Sequence, residues 1–409
     1  MRFISKHIHG DRAIWAIVAL LSVFSFLPVY SASSNLVYVL GIGSVTGHLI
    51  KHVAIVLIGI SIMYAVHRIP FKYFSGLSVI TLPIVWLLLI YTALQGNLIE
   101  GANASRWIKI PILGLSFQTS TLASVVLMVY VARYLSVNKE KNINFWRSLI
   151  VLWLPVMLII ATILPANLST AAVIGVLVFV LAFIGGYPKK YLLLMLGTAV
   201  LFFSLFIMTA KAYPDAFPNR VDTWISRIDS FTGKGDANTN YQVERAKIAI
   251  ATGGVVGKGA GKSVMKNLLP QSTSDFIYAI ITEEYGSAGG LSLLFLYLLL
   301  LFRIFICVYK AYDFFGQLLI IGVGLPIIIQ SLVNMGVAVS VLPVTGQPLP
   351  LISSGGTSIW MTFLALGIVQ SVTAGRMAEN DEKNPLAILR SSLKLYCLVE
   401  EQGVISSQP

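Results

Sequence analysis

Three carboxylates, Asp275, Glu283 and Glu284, lie where a polar run of the sequence enters an apolar segment. The run reads Leu268-Leu-Pro-Gln-Ser-Thr-Ser-Asp-Phe-Ile-Tyr-Ala-Ile-Ile-Thr-Glu-Glu-Tyr-Gly286. A carboxylate at the level of membrane hydrocarbon costs about 2.5–3.5 kcal/mol on insertion scales, so acids at such a boundary are candidates for function. A carboxylate held in position can remove a proton from a reacting hydroxyl group and so act as a general base.

Asp275 follows Pro270 and opens an apolar segment, 276–281, that is expected to be helical. Its carboxylate should therefore lie at a helix N-terminus, where the backbone dipole favours the anion. Partial burial acts in the opposite direction, and a carboxylate between the two influences can accept a proton near neutral pH. The alternative is structural, because Asp is among the best N-cap residues.

The elements that must position these acids are membrane helices, because hydrophobic residues make up 56% of the 409 residues and charged residues only 11%. We expect an all-α polytopic membrane protein. The formal charge of +12 could indicate nucleic-acid binding, but basic loops on the cytoplasmic side are the interpretation we favour. Cys307 and Cys397 are too few for a disulfide framework or a metal site, and both are interpreted as reduced.

Ten segments are long and apolar enough to span a membrane, which takes about 20 residues. They lie at roughly 13–32, 49–67, 73–94, 116–136, 146–164, 168–187, 191–211, 280–308, 315–340 and 355–375. The connections that share a side with the termini hold Arg2, Lys6, Arg68, Lys72, Lys139, Lys141, Arg147, Lys189, Lys190, Lys310, Arg376, Lys383, Arg390 and Lys394. By the positive-inside rule that side is the cytoplasm. We expect one membrane domain, 1–376, and a cytoplasmic tail, 377–409.

Two segments expected on the outer side carry charge, namely 101–115 and the large loop between spans 7 and 8, 212–274. Loops as long as the second are usually functional or disordered. It contains Trp224 and Phe231 and a possible amphipathic helix at 241–252 that would lie along the outer surface. In the first, Arg106 and Lys109 flank Trp107, so these cations are either interfacial anchors or contacts for a substrate phosphate.

The segment 253–263, Gly-Gly-Val-Val-Gly-Lys-Gly-Ala-Gly-Lys-Ser, is rich in glycine and contains two lysines. The segment is not a P-loop, because Val256 stands where that motif requires glycine. Successive backbone N–H groups beside Lys258 and Lys262 could still form an anion nest for a lipid pyrophosphate. A flexible turn at the membrane surface is the alternative.

The run 342–356, Leu-Pro-Val-Thr-Gly-Gln-Pro-Leu-Pro-Leu-Ile-Ser-Ser-Gly-Gly, holds three prolines and three glycines between two apolar spans. Non-helical backbone at membrane depth is tolerated only where it is buried in protein or lines a cavity. A simple turn would not need fifteen such residues. We therefore expect a packed re-entrant loop beside a cavity.

The 342–356 and 274–286 runs, with Tyr241-Gln242 before the glycines, resemble the SEDS family of ten-span peptidoglycan glycosyltransferases. The resemblance extends from about residue 11 to 373. Gly10-Asp-Arg12, Val29-Tyr-Ser-Ala-Ser33 and Gly346-Gln-Pro-Leu-Pro350 favour the FtsW-type division branch over the RodA-type elongation branch. Departures from the family pattern occur at 166–170, at Thr121 and Ser124 (often Glu and Lys), and at Gln271 and Thr273 (commonly an acid and a histidine).

This resemblance implies a polymerase of lipid II that works outside the cytoplasmic membrane, at the division septum, and releases a polyprenyl pyrophosphate. Asp275 would be the general base. The expected substrate-binding residues are Arg106, Lys109, Lys258, Lys262, Glu283, Glu284, Ser353 and Ser354, with the two glutamates shaping the helix and its cavity. The implied partners are a class B penicillin-binding transpeptidase and other division proteins. A divalent cation, Mg²⁺ or Mn²⁺, would neutralise pyrophosphate charge, although the sequence shows no ligand cluster for one.

Two other functions are alternatives to the polymerase, and the first of them needs the same kind of groove for a polyprenyl lipid. A lipid II flippase would bind the same lipid without chemistry, but transport favours charges near the bilayer midplane, whereas these acids lie at an outer boundary. A noncatalytic scaffold for division proteins would leave Asp275 without a role.

Overall fold

The computed structural model describes residues 9–38, 41, 43–95, 98–99, 102–103, 107–110, 115–139, 141, 143–212, 237–269 and 271–382. The first seven helices are α1 Arg12–Tyr38, α2 Val45–Val66, α3 Lys72–Gln95, α4 Thr119–Val137, α5 Phe145–Ile163, α6 Leu168–Ile184 and α7 Lys189–Ala212. Four more are α8 Ala237–Gly253, α9 Ile277–Lys310, α10 Phe314–Ala338 and α11 Gly356–Glu382.

Each of the ten predicted spans lies on one of these helices. Within the described residues, nine helices are long and apolar enough to cross a membrane, and the remaining span, α6, is an apolar helix of 17 residues. The prediction of an all-α polytopic membrane fold is confirmed. Helix α8 covers the predicted amphipathic segment and buries Ala246 and Ala249 completely. Trp224 and Phe231 lie outside the described residues.

Short polar side chains mark where several helices begin. Ser44 accepts a hydrogen bond from the backbone N–H of Gly47 ahead of α2, at 3.0 Å. Asn167 accepts from Thr170 N ahead of α6, and Asp313 accepts from Gly316 N ahead of α10. Each bond satisfies an N–H group that has no acceptor inside its helix, which explains why the helices start at these residues.

Two β-hairpins occupy the charged segment before α4, where the sequence indicated only a loop. Strand β1 Leu98–Ile99 pairs with β2 Ala102–Asn103, and β3 Trp107–Ile110 pairs with β4 Leu115–Gln118, both antiparallel. Strand β4 continues directly into α4. The Gln118 N–H donates to Thr357 Oγ1 at 3.2 Å, which ties the start of α4 to the first turn of α11.

Close helix packing depends on glycine at the contact between α2 and α11. A Cβ atom at Gly59 would collide with the ring of Phe363, and one at Gly367 would lie 2.9 Å from Val66 Cβ. Small residues at such contacts let membrane helices approach and gain van der Waals contact. The two helices therefore form one side of a rigid bundle.

In its C-terminal half, far from Asp275, helix α9 is bound to Asp11 at the start of α1. Asp11 Oδ1 accepts from Ala13 N at 2.9 Å and caps α1, while both carboxylate oxygens bind the guanidinium of Arg303 in α9. Gln370 of α11 accepts from Asp11 N at 2.7 Å and donates to Asp11 O at 2.9 Å. These bonds join α1, α9 and α11.

Candidate active site

Asp275 lies in the turn 271–276 that leads into α9, and its side chain is partly exposed. The helix begins at Ile277, and its N-cap residue is Phe276, which makes no side-chain capping bond. The alternative in which Asp275 is the N-cap of this helix is therefore wrong, because Asp275 precedes the cap by one residue. Its carboxylate lies beside Gly346, where a Cβ atom would be 3.5 Å from Asp275 Oδ2.

The backbone of this turn is bound on three successive carbonyl oxygens. Ser354 donates from its N–H and from its hydroxyl to Thr273 O, both at 3.1 Å, and Ser353 Oγ donates to Ser274 O at 2.7 Å. Asn334 Nδ2 in α10 donates to Asp275 O at 2.8 Å. The position of the Asp275 backbone is therefore fixed by groups distant in sequence.

The loop 341–355, which supplies the bonds from Ser353 and Ser354, is packed as the sequence predicted. Leu349, Leu351 and Ile352 are buried. Asn334 Nδ2 also donates to Gln347 O at 2.7 Å, and Gln330 Nε2 donates to Pro348 O at 2.9 Å. A non-helical loop at membrane depth is stable here because protein groups satisfy its carbonyl oxygens.

Ser353 and Ser354 thus hold the turn by its backbone. Ser353 Oγ also accepts from Leu349 N at 2.7 Å, so its hydroxyl is engaged both as donor and as acceptor. Direct contact of either serine with substrate stays a prediction. Their described bonds assign them to positioning Asp275.

A cavity of about 80 Å³ lies next to this loop, between α4, α6, α10 and α11. Its polar lining consists of Ser120, Thr121, Ser124, Thr170, Gln330, Gln347, Ser358 and Thr362, and no charged side chain lines it. Gln347 lines the cavity, and the preceding residue, Gly346, lies beside the Asp275 carboxylate. The loop 341–355 is therefore next to both the acid and the cavity. Thr121 and Ser124, where the family pattern often has Glu and Lys, face this cavity with uncharged hydroxyls.

The glycine segment 253–263 is bound to α9 through its backbone. The N–H groups of Lys258 and Gly259 donate to Glu283 O and Glu284 O at 3.0 and 2.9 Å. An anion nest at these two residues is therefore wrong, because their N–H groups already have acceptors. The segment is also packed closely against α9, since a Cβ atom at Gly257 would collide with the carbonyl of Glu284.

A break in α9 makes room for this segment. Gly286 has φ 70° and ψ −177°, which interrupts the helix and frees N–H groups that follow it. Ser287 N donates to Gly254 O at 2.8 Å, and Ala288 N donates to Val255 O at 3.2 Å. Glycine is required at 286 because the backbone is left-handed there and a Cβ atom would meet Val255 O.

Glu283 is completely buried and receives four donors. Lys258 Nζ pairs with its Oε1 at 2.6 Å, Val264 N and Met265 N donate at 3.2 Å each, and the Ser263 hydroxyl donates to Oε2. The carboxylate thus holds residues 263–265 against α9. This fits the predicted role in shaping the helix, and direct substrate binding by Glu283 stays a prediction.

Glu284 is also buried and joins the same segment to α1. Its Oε1 accepts from the Ser31 hydroxyl and from Ser263 N at 3.3 Å, while Oε2 has no partner among the described residues. Lys266 Nζ donates to Ser31 Oγ at 3.2 Å and to Gly261 O at 2.8 Å. Sequence reasoning missed Lys266 and Asn334. A polar residue within or close to an apolar span was the signal in the sequence that could have identified them.

The structure describes the other predicted substrate-binding cations only in part. Lys262 is exposed on the surface of the glycine segment. Arg106 lies outside the described residues, and only the backbone of Lys109 is described, in β3 opposite Ser116. Within the described part of the chain, no group of three His, Cys, Asp or Glu side chains could hold a metal ion. The phosphate-binding roles of these cations therefore stay predictions.

Comparison with known proteins adds three kinds of similarity. A family model described as "Cell cycle protein", for FtsW, RodA and SpoVE, matches residues 11–377. The probable peptidoglycan glycosyltransferase FtsW of Hydrogenovibrio crunogenus is 30% identical over 368 residues, covering 88% of this chain and 90% of that protein. The peptidoglycan glycosyltransferase MrdB of Escherichia coli K12 is 28% identical over 375 residues, covering 90% and 95%.

Solved structures share the fold. The rod shape determining protein RodA of Thermus thermophilus superposes with a TM-score of 0.64 at 24% identity, covering 90% of this chain and 97% of that one. A chain from a peptidoglycan synthase complex gives a TM-score of 0.69 at 24% identity, covering 90% and 98%. The polytopic helical architecture is thus common to all three.

Proposed function

Because this chain belongs to the family of FtsW, RodA and SpoVE cell cycle proteins, we propose that it is a peptidoglycan glycosyltransferase that polymerises lipid II. Relatives named for that activity align over nearly nine-tenths of the chain. The observation that carries the assignment is the turn at Asp275. A partly exposed carboxylate lies there beside Gly346, which precedes the cavity-lining Gln347. Three backbone carbonyl oxygens of its segment accept hydrogen bonds from Asn334, Ser353 and Ser354.

Asp275 acts as the general base. It takes the proton from the acceptor sugar hydroxyl as that oxygen bonds to the anomeric carbon of the donor. The bond between this carbon and the pyrophosphate oxygen breaks, and the polyprenyl pyrophosphate leaves with the electron pair. Of the three carboxylates singled out in the sequence, Glu283 and Glu284 are buried, and only Asp275 is partly exposed.

The bonds to the 273–275 backbone position the base before substrate arrives. A reacting group held in this way avoids part of the entropic cost of the transition state. Ser353, Ser354 and Asn334 supply that constraint, and they act through the backbone of Asp275.

We assign the pyrophosphate to Arg106, Lys109 and the exposed Lys262. Lys258 suits this role less well, because its ammonium group is already paired with Glu283 at 2.6 Å. A Mg²⁺ or Mn²⁺ ion that arrives with the pyrophosphate would need few protein ligands, since Mg²⁺ is usually held by one or two carboxylates and substrate phosphates.

Asp275→Asn tests the base. The amide keeps the size of the side chain but cannot accept the proton, so we expect a loss of about 10²–10⁴-fold in polymerisation. The assay follows labelled lipid II on gels with the purified chain, alone and with a class B penicillin-binding transpeptidase. Asp313→Asn is the matched control, because Asn caps α10 as well as Asp does.

A folded Asp275→Asn variant that polymerises at the parental rate would overturn the base assignment. If the parent moves lipid II across vesicle membranes but makes no polymer even with the transpeptidase, the flippase function replaces the enzyme. Parental activity in Asp313→Asn shows that the effect at Asp275 is not a general result of removing an acid.

We further propose that the chain lies in the bacterial cytoplasmic membrane, at the septum, with both termini in the cytoplasm, 1–376 as one domain and 377–409 as a tail. The Lys and Arg distribution supports this orientation. Its partners would be a class B transpeptidase and other division proteins, which the fold shared with a chain of a peptidoglycan synthase complex supports.

Thiol labelling on either side of α9 tests the orientation. Val256 is 83% exposed and Tyr312 is 66% exposed, so a cysteine at either position should be reachable from its own side. In intact cells, an impermeant reagent should label Val256→Cys and spare Tyr312→Cys. The reverse pattern would place Asp275 on the cytoplasmic side and contradict polymerisation outside the membrane.

A further inference from the structure

A large apolar groove lies between α5, α6 and α7, away from the cavity beside Asp275. Its volume is about 460 Å³, and its walls include Trp153, Gly175, Phe179, Leu194 and Phe202. No charged side chain lines it. A groove of this size and composition, in a chain that spans a membrane, accommodates hydrocarbon chains.

The groove exists because α7 packs weakly against the bundle. Leu193 and Phe202 of α7 are 70% and 77% exposed. On the facing helix α6, Gly175 has no side chain, and a Cβ atom there would meet only Ile160 Cδ1, at 3.7 Å. Protein side chains thus leave space between these helices.

Three cations gather at one end of the groove. The hydroxyls of Ser148 and Tyr187 lie 2.6 Å apart, and the rings of Phe145 and Tyr191 lie 5.0 Å apart between centroids. These two contacts bring the start of α5, with exposed Arg147, to the start of α7, with exposed Lys189 and Lys190. Phe145 itself lines the groove.

This charge has no acidic counterpart nearby in sequence, because residues 145–212 contain no Asp or Glu. Each Lys or Arg near a membrane surface attracts anionic lipid with about 1 kcal/mol. The end of the groove therefore presents three exposed cations to a phosphate group.

The basic end lies across the membrane from Asp275. Helix α4 starts where Gln118 binds Thr357, just after the loop that contacts Asp275. Its 19 residues then run about 28 Å to the opposite face, where α5 begins. A lipid whose phosphate lies at Arg147 therefore belongs to the other leaflet from the substrate head group at Asp275.

We propose that this groove binds an anionic glycerophospholipid, with its acyl chains between α5, α6 and α7 and its phosphate at Arg147, Lys189 and Lys190. The apolar walls provide the chain site, and the cations select the anionic head group. The polyprenyl chain of the substrate is the rival occupant. Its pyrophosphate, held on the Asp275 side, would leave these three cations unused.

Native mass spectrometry of the full chain, titrated with dioleoyl phosphatidylglycerol or dioleoyl phosphatidylcholine, tests the site. In the variant Arg147→Gln/Lys189→Gln/Lys190→Gln, affinity for phosphatidylglycerol should fall about a hundredfold, because each cation contributes about fivefold. Affinity for phosphatidylcholine should not change. The control Arg12→Gln/Lys72→Gln/Lys310→Gln removes three exposed cations elsewhere and should bind as the parent does.

Gly175→Phe tests the groove separately. The ring would fill the space beside Ile160 and should abolish binding of both phospholipids at this site, while Gly76→Phe, on an exposed face of α3 with nothing within 4 Å, should not. Parental affinity for phosphatidylglycerol in the triple variant or in Gly175→Phe would overturn the proposal. Displacement of phosphatidylglycerol by an uncharged polyprenol at equal affinity in parent and triple variant would assign the groove to the substrate chain instead.

Discussion

Helices α9 and α7 differ in how the rest of the molecule holds them, although both cross the membrane. Helix α9 is bound near its start by the glycine segment, in its middle by the Tyr297 hydroxyl on Pro350 O, and further on by Asp11 on Arg303. Helix α7 contacts α6 and, at its start, the Phe145 ring of α5. The chain therefore fixes the helix that follows Asp275 and leaves α7 weakly packed beside a groove.

This difference separates two requirements of a membrane enzyme. A general base must stay within a fraction of an ångström of its productive position, which requires buried polar contacts around it. A helix that borders a lipid groove needs no such contacts, because hydrocarbon can fill the space beside it. The three predictions below test whether the buried bonds around α9 matter as much as this contrast requires.

Glu283→Gln should have the largest effect on stability. The neutral side chain removes the negative charge that pairs with the Lys258 ammonium group, and its single amide NH₂ would face the N–H donor of either Val264 or Met265. We expect the free energy of unfolding to fall by about 3 kcal/mol, because Glu283 is fully buried while Lys258 is partly exposed. Thermal unfolding in nanodiscs measures the change.

Glu244→Gln is the matched control, because Glu244 is exposed on α8. We expect this substitution to change the unfolding free energy by less than about 0.5 kcal/mol. Equal stability of Glu283→Gln and Glu244→Gln would mean that the buried carboxylate does not hold the glycine segment against α9.

Sequence patterns predicted the helices well because each span is a local apolar run whose length the bilayer dictates. They predicted the partners of polar residues poorly. Nothing near Lys258 in sequence identifies Glu283 as its partner, and Ser353 finds Ser274 O only once α9 and α11 have packed. The anion nest failed for the same reason, since the acceptors of its N–H groups lie on α9.

The candidate site also has features that the sequence could predict and features that it could not. Asp275 could be selected from the sequence because an acid at a membrane boundary is costly. The sequence could not show that Phe276 would be the N-cap, or that Asn334 would bind the Asp275 carbonyl oxygen. Those facts depend on how the 341–355 loop folds against the turn.

Asn334→Ala should affect catalysis more than stability. It removes the donor to Asp275 O and Gln347 O, so the turn loses one of its three anchors. A displacement of about 1 Å can cost about 10²-fold in rate, so we expect kcat for lipid II polymerisation to fall between about 10- and 100-fold with KM little changed.

Gln330→Ala removes a bond to the same loop, at Pro348 O, and one polar group from the cavity lining, but no bond to the turn. Its kcat should therefore stay within about threefold of the parent, since misplacement of the reacting group is what lowers the rate. An equal loss in both variants would show that the loop as a whole, rather than the anchor at Asp275, sets the rate.

Leu193→Ala on α7 should have the smallest effect, and it tests the contrast between the two helices directly. Leu193 is 70% exposed, so its side chain already contacts hydrocarbon, and truncation exchanges protein methyl groups for lipid. We expect a change in unfolding free energy below about 0.5 kcal/mol. The same truncation at Leu300 of α9, which is fully buried, opens a cavity and should cost about 2–5 kcal/mol. Because both substitutions remove the same atoms, their difference in nanodisc unfolding measures packing alone. Similar losses at the two positions would mean that Leu193 of α7 is packed in the membrane as tightly as Leu300 of α9.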